Sequence, residues 1–149
     1  MLGVIKREVK HIDIYYFIIL TVSILSIFAY GKYRCDNIKW HTDVLEFSLF
    51  KNSARYGLDG WSVTHYSLFF LLGYLYPKVF VTSVLLGAVW ELCETYIGIY
   101  KPALIKGLGF CELSGNKYKV WWYGKWSDIV LNTLGFISGM TLHNYLKKK

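Results

Sequence analysis

Five polar side chains stand where an otherwise apolar sequence has least room for them: His65, Glu91, Glu94, Asp128 and Asn132. Each lies within or at the edge of a hydrophobic run, where an ionisable group costs roughly 2.5–3.5 kcal/mol on insertion scales. The set suits two linked tasks. An imidazole or carboxylate can serve as general base toward an attacking hydroxyl. The carboxylates of Glu91, Glu94 and Asp128 form an oxygen-rich cage for a divalent cation, calcium or magnesium, that would hold an anionic headgroup. Asp59, Trp122 and Lys125 flank the set and are the candidate substrate contacts. The competing reading is that these groups only hydrogen-bond helices together, with Lys125 neutralising Asp128.

The spacing supports one shared site. Asp128, Asn132, Gly135 and Gly139 fall at i, i+4, i+7 and i+11, within about 60° of one helix face. The two glycines let a neighbouring backbone come close along the same stripe. Ser83, Gly87, Glu91, Glu94 and Gly98 share a face in the same way. His65 lies near the start of its segment, Glu91 and Glu94 near the end of the next, and Asp128 at the start of the last. Antiparallel helices bring all of them to one end of a bundle.

The elements that must do this are four hydrophobic segments, about 12–30, 61–76, 79–100 and 127–146. The first has only Asp13 as a charge and approaches the roughly 20 residues that span a bilayer. Pro77 stops the second, and the short link through Lys78 makes it a hairpin with the third. Asp59 is read as a turn and N-cap residue before the second. The chain is thus expected to be a single all-α integral membrane domain over 1–149. An interfacial amphipathic helix is expected from Asp43 to Lys51, where Asp43 and Glu46 have capping-box spacing. A small β-hairpin is expected around Ser114-Gly115-Asn116.

Composition agrees. Hydrophobic residues make up 54% of the 149 and charged residues only 18%, a bilayer-like balance. Tyr15, Tyr16, Tyr30, Trp61, Tyr74, Tyr76, Tyr96, Tyr100 and the Trp121-Trp122-Tyr123 run concentrate near segment ends, as interfacial belts do. The net charge of +7 comes with no basic helix or base-stacking platform, so the expected partner is membrane lipid and not nucleic acid. Lys6, Arg7 and Lys10 precede an apolar run too long for a signal peptide and without a small-residue cleavage site, which reads as a retained anchor. Seven basic residues lie in the short segments on one side and ten in the two long loops on the other. Their density in the short segments tilts the orientation to cytoplasmic termini. Cys35, Cys93 and Cys111 form no CxxC pair. Cys35 and Cys111 fall on one side, where one bridge is possible, although free thiols are the favoured reading. His41 and His143 lack partners at ligand spacing and read as exposed or interfacial. Oligomeric state is not set by the sequence.

From Asp59 to Met140 the motif order resembles that of VanZ-like membrane proteins: His65-Tyr66, Leu72-Gly73, Glu91, and a closing D-x-x-x-N-T-x-G in Asp128, Asn132, Thr133 and Gly135. Glu94 stands where that family commonly has Gln, and Lys125 matches its basic residue only loosely. The same stretch is more distantly similar to base-exchange phosphatidylserine synthases, through His65, Glu91/Glu94, Trp121/Trp122, Asp128 and the N-x-x-G-x-x-x-G-M run ending at Met140. That similarity implies calcium-dependent headgroup exchange with His65 and the acids at the reaction centre, although the synthases place their Asp and Asn one residue further apart. In size and in its 14 Lys against 3 Arg the chain also resembles membrane proteins of large DNA viruses. The expectation is therefore a VanZ-like protein that binds or modifies a phospholipid or lipid-linked headgroup. The alternatives are a non-enzymatic structural membrane protein, cellular or viral, and a small ion or proton pathway.

Overall fold

The computed structural model describes residues 1–37, 43–49, 58–113 and 117–149. The fold is mostly helical: α1 (Leu2–Glu8), α2 (Ile14–Asp36), α3 (Gly60–Leu75), α4 (Phe80–Tyr100) and α5 (Trp126–Lys147), with one two-stranded antiparallel sheet, β1 (Phe110–Leu113) and β2 (Lys117–Val120), before α5. The strands pair from Phe110 with Val120 to Leu113 with Lys117, as the hairpin expectation requires. The expected turn residues Ser114, Gly115 and Asn116 lie outside the described residues, as does His41.

Local chemistry sets the helix limits. Asp13 caps α2 by accepting from the Tyr16 amide at 3.1 Å, and its carboxylate also accepts the Tyr76 hydroxyl at 2.7 Å. Asp59 and Ser62 form a reciprocal capping box at the start of α3. Pro77 follows the end of α3, and the hairpin into α4 is as short as the sequence implies. Glu8, buried at the end of α1, reaches the first turn of α4 and accepts from the Val81 and Thr82 amides at 3.1 and 2.7 Å. It supplies from a distant segment the cap that α4 lacks in its own sequence.

The tightest helix pair is α3 with α5, not α3 with α4. A Cβ at Gly73 would run into the Phe136 backbone, one at Gly135 into the Tyr66 carbonyl, and one at Gly139 into the Phe70 carbonyl. Small residues thus let the two backbones touch. Tyr16, Phe69, Leu72, Val79 and Phe136 make the buried apolar cluster beside this contact. Tyr16 also hydrogen-bonds Ser83 at 2.8 Å, fastening α2 to α4.

Two helices, α2 with 23 residues and α4 with 21, are long and apolar enough to cross a bilayer. Their apolar side chains point away from the protein: Leu25 is 61% exposed and Leu92 69%. Such outward apolar surface marks a lipid or partner contact and supports membrane association. The α3 helix is shorter, at 16 residues, and α5 carries more polar side chains.

Two expectations are corrected. The interfacial helix from Asp43 does not form over the described residues 43–49, which make turns and an isolated bridge between Ser48 and Asp59; the rest of that stretch lies outside the described residues. The Asp43 carboxylate instead accepts from its own neighbour's amide, Leu45 at 2.9 Å, and from Tyr30 at 2.6 Å and Trp61 at 2.9 Å. That local pairing competes with helix. Cys35 and Cys111, favoured as free thiols, are disulfide-bonded with Cα atoms 5.0 Å apart, because the hairpin folds against the end of α2; Cys93 is free and exposed.

Candidate functional site

The capping box that starts α3 also begins the site. With the Asp59 carboxylate at the helix N-terminus, Ser62 is held one turn on and donates its hydroxyl to Asp128 Oδ1 of α5 at 2.8 Å. Another turn along, His65 Nδ1 lies 3.1 Å from Asn132 Oδ1 and 3.6 Å from Glu91 Oε1. The i, i+4 pair Asp128 and Asn132 on α5 thus meets the i, i+3 pair Ser62 and His65 on α3, while Glu91 enters from α4. Ser62, Glu91, Asp128 and Asn132 are all buried and His65 is half-buried.

One imidazole nitrogen of His65 and one carboxylate oxygen each of Glu91 and Asp128 lie within 4.8 Å of one another. Opposed oxygen ligands of a cation bound at about 2.3–2.6 Å are separated by a similar distance. Among the described residues, Glu91 Oε1 and Asn132 Nδ2 are buried without a hydrogen-bond partner. A buried carboxylate oxygen and amide left in this condition cost on the order of 1–3 kcal/mol each, and a bound group would relieve that cost.

The loop after β2 roofs the site. The Lys125 amide donates to Glu91 Oε2 at 2.8 Å, and the Lys125 ammonium pairs with Asp59, not with Asp128. Burial works against the charged form of Lys125, but the Asp59 hydrogen bond and nearby anionic groups outweigh it and hold the ammonium above its ordinary range. Trp122 is buried between Phe28 and Trp90, and its indole donates to the Leu108 carbonyl at 2.8 Å. It is a roof beam and not an interfacial belt residue. Arg34, buried at the end of α2, pairs with Asp43 at 2.8 Å and Glu46 at 3.2 Å, and its guanidinium lies 3.8 Å over the Trp121 ring. Burial tends to raise the Asp43 carboxyl, but the bonds from Tyr30, Leu45 and Trp61 and the Arg34 charge bring it below its ordinary value.

Beneath this roof a cavity of about 40 Å³ is bordered by Arg34, Trp61, His65, Glu94, Lys125 and Asp128, room for a small hydrated ion or a few waters. Among the described residues, Asp43 and Glu46 pair with Arg34, and Asp59 with Lys125, which leaves Glu91 and Asp128 as the carboxyl groups facing His65.

Four of the five predicted site residues, His65, Glu91, Asp128 and Asn132, converge. Glu94 is half-buried and lines the cavity but stands outside the His65, Glu91 and Asp128 group. Trp122 and Lys125 border the cavity, and Asp59 reaches it through Lys125. His143 lies away from it, with Nδ1 2.6 Å from the Tyr74 carbonyl. Sequence reasoning missed Ser62 as a site residue, although Asp59-x-x-Ser62 is a legible capping pattern. Nothing in the local sequence pointed to Arg34. No family model matches the chain, and neither a curated protein nor a solved structure matches it.

Proposed function

We propose that this chain is a multi-pass membrane protein of VanZ-like type whose intramembrane His65, Glu91, Asp128 and Asn132 site binds a divalent cation and, through it, the phosphate of a lipid or lipid-linked headgroup. In this reading α3 and α5 accompany α2 and α4 across the bilayer as a four-span bundle. The observation that carries it is the convergence of one imidazole nitrogen and two buried carboxylate oxygens within 4.8 Å, drawn from three helices distant in sequence. Mixed imidazole and carboxylate donors suit a divalent transition metal such as zinc, while calcium and magnesium ask for oxygen ligands alone. Asn132, whose Oδ1 lies 3.1 Å from His65 Nδ1, borders the group. Such a cation would hold a phosphate oxygen and polarise the phosphorus. With the His65 lone pair on the cation, a cavity carboxylate outside the ligand group such as Glu94 would take the proton of an attacking hydroxyl as its oxygen bonds to phosphorus and the bond to the departing headgroup alcohol breaks, making the protein a headgroup transferase or exchange enzyme.

The test is divalent-dependent exchange of a labelled headgroup in vesicles, with cation binding measured separately on the purified protein. Single substitutions His65→Ala, Glu91→Gln and Asp128→Asn are each expected to lower exchange by about 100-fold or more, the span of a lost acid–base or charge-stabilising group. A wild-type protein that neither binds a cation nor exchanges headgroups would sink the reading. The second reading, a non-enzymatic structural membrane protein, is favoured by the Ser62–Asp128 and His65–Asn132 bonds that join α3 to α5. It predicts that the same substitutions lower stability alone.

A further inference from the structure

Along its middle, α2 stands away from α3 and α4 and touches them only sparsely. It is pinned at its two ends instead, by Tyr16 to Ser83 at one and by Arg34 to Asp43 and the Cys35–Cys111 bridge at the other. Between the pins lies a groove of about 560 Å³. Ile24 of α2, Leu68 of α3 and Leu86 and Trp90 of α4 wall it, and His65 and Asn132 border it at the site end.

The groove opens outward, its wall residues Ile24 and Leu86 being 38% and 42% exposed, and its volume falls in the range of roughly 300–1,000 Å³ that small ligands fill. The lining makes that occupant apolar. The groove follows α4 from Ser83 to Cys93 and α2 from Leu20 to Tyr30, about 15 Å of helix at about 1.5 Å per residue. That is one leaflet of a hydrocarbon core about 30 Å thick.

We propose that the groove between α2, α3 and α4 is an acyl-chain site, holding one hydrocarbon chain of the lipid whose headgroup reaches His65 and Asn132. This rests on the headgroup reading for the polar end, while the groove's own geometry supplies the chain. Binding would align the ester end of the lipid with the cavity under Trp121–Lys125.

The experiment uses the full chain in phosphatidylcholine vesicles containing a small fraction of a phospholipid with a mid-chain diazirine. Photolysis and peptide mass spectrometry then map the adducts. Adducts are expected on Ile24, Leu68 and Leu86 in excess of Leu25 and Leu92, which face outward. Leu86→Trp should reduce groove adducts about tenfold, the loss expected when roughly two methylenes of burial are blocked, whereas Leu92→Trp should leave them unchanged. An intact disulfide and unchanged helix content verify the fold. Equal labelling of outward and groove residues in the wild type would overturn the proposal even if Leu86→Trp fails to fold. A diacylglycerol with the same chain separates the two readings: groove labelling equal to the phospholipid's, and unchanged by His65→Ala, would keep the chain site and remove the headgroup reading.

Discussion

At the residue scale, Ser62 shows how one hydroxyl serves two structures. It closes the capping box of α3 with Asp59 and donates to Asp128 of α5. Ser62→Ala leaves the buried Asp128 oxygen short of a donor, which costs about 1–3 kcal/mol. The expected outcome is a lower thermal midpoint in detergent, with a larger loss than Ser67→Ala, a serine on the exposed side of the same helix. A Ser62→Thr variant keeps the hydroxyl and should recover most of the difference. Equal midpoints for Ser62→Ala and Ser67→Ala would deny the bond any weight. The chemistry of this site was legible in residue types and spacing, since Asp128 and Asn132 one turn apart had to face a common neighbour. Which carboxylate would join His65 was not legible. Glu91 and Glu94 lie about 60° apart on α4 by helical geometry, and only the placement of α4 against α3 and α5 selects Glu91.

At the scale of elements, α4 depends on a cap from outside itself. Glu8 accepts two amide hydrogens from its first turn and adds a negative charge near the positive end of the helix dipole. Glu8→Ala should destabilise the protein by about 1 kcal/mol, and Glu8→Gln, which keeps an acceptor but loses the charge, should fall between. Denaturant or thermal unfolding of the three proteins checks the order. A neutral Glu8→Ala would mean that α1 does not support α4. The position of α4 was legible because apolar length is a local property. This cap was not, because Glu8 lies 73 residues from Val81 and no local pattern connects them. The helix expected at Asp43 has the capping spacing, but the Asp43 carboxylate is taken up by Tyr30, Trp61 and Arg34.

At the scale of the whole molecule, the disulfide bears on orientation. A bridge across 76 residues contributes about 4 kcal/mol by loop-closure entropy, and it persists in an oxidising compartment. On the proposed four-span reading, the Cys35 and Cys111 end is expected to face the extracytoplasmic side and both termini the cytoplasm, in keeping with the dense basic clusters at Lys6–Lys10 and Lys147–Lys149. In sealed membrane vesicles of cytoplasm-in orientation, a C-terminal tag should resist external protease. Cys35 and Cys111 should accept an impermeant maleimide only after reduction. Protease removal of the tag from such vesicles would reverse the assignment.

Sequence alone determined the helical, apolar character of the chain, the hairpin at Pro77 and the small-residue stripe of α5, because each follows from local composition and periodicity. The tertiary structure decided the rest. It paired α3 with α5, chose Glu91 over Glu94, turned Lys125 to Asp59, joined Cys35 to Cys111 and held α2 apart to leave a groove. The reason is physical: helix propensity and hydrophobic length act over a few residues, whereas these pairings depend on how close two backbones can approach, which the glycines permit but do not specify.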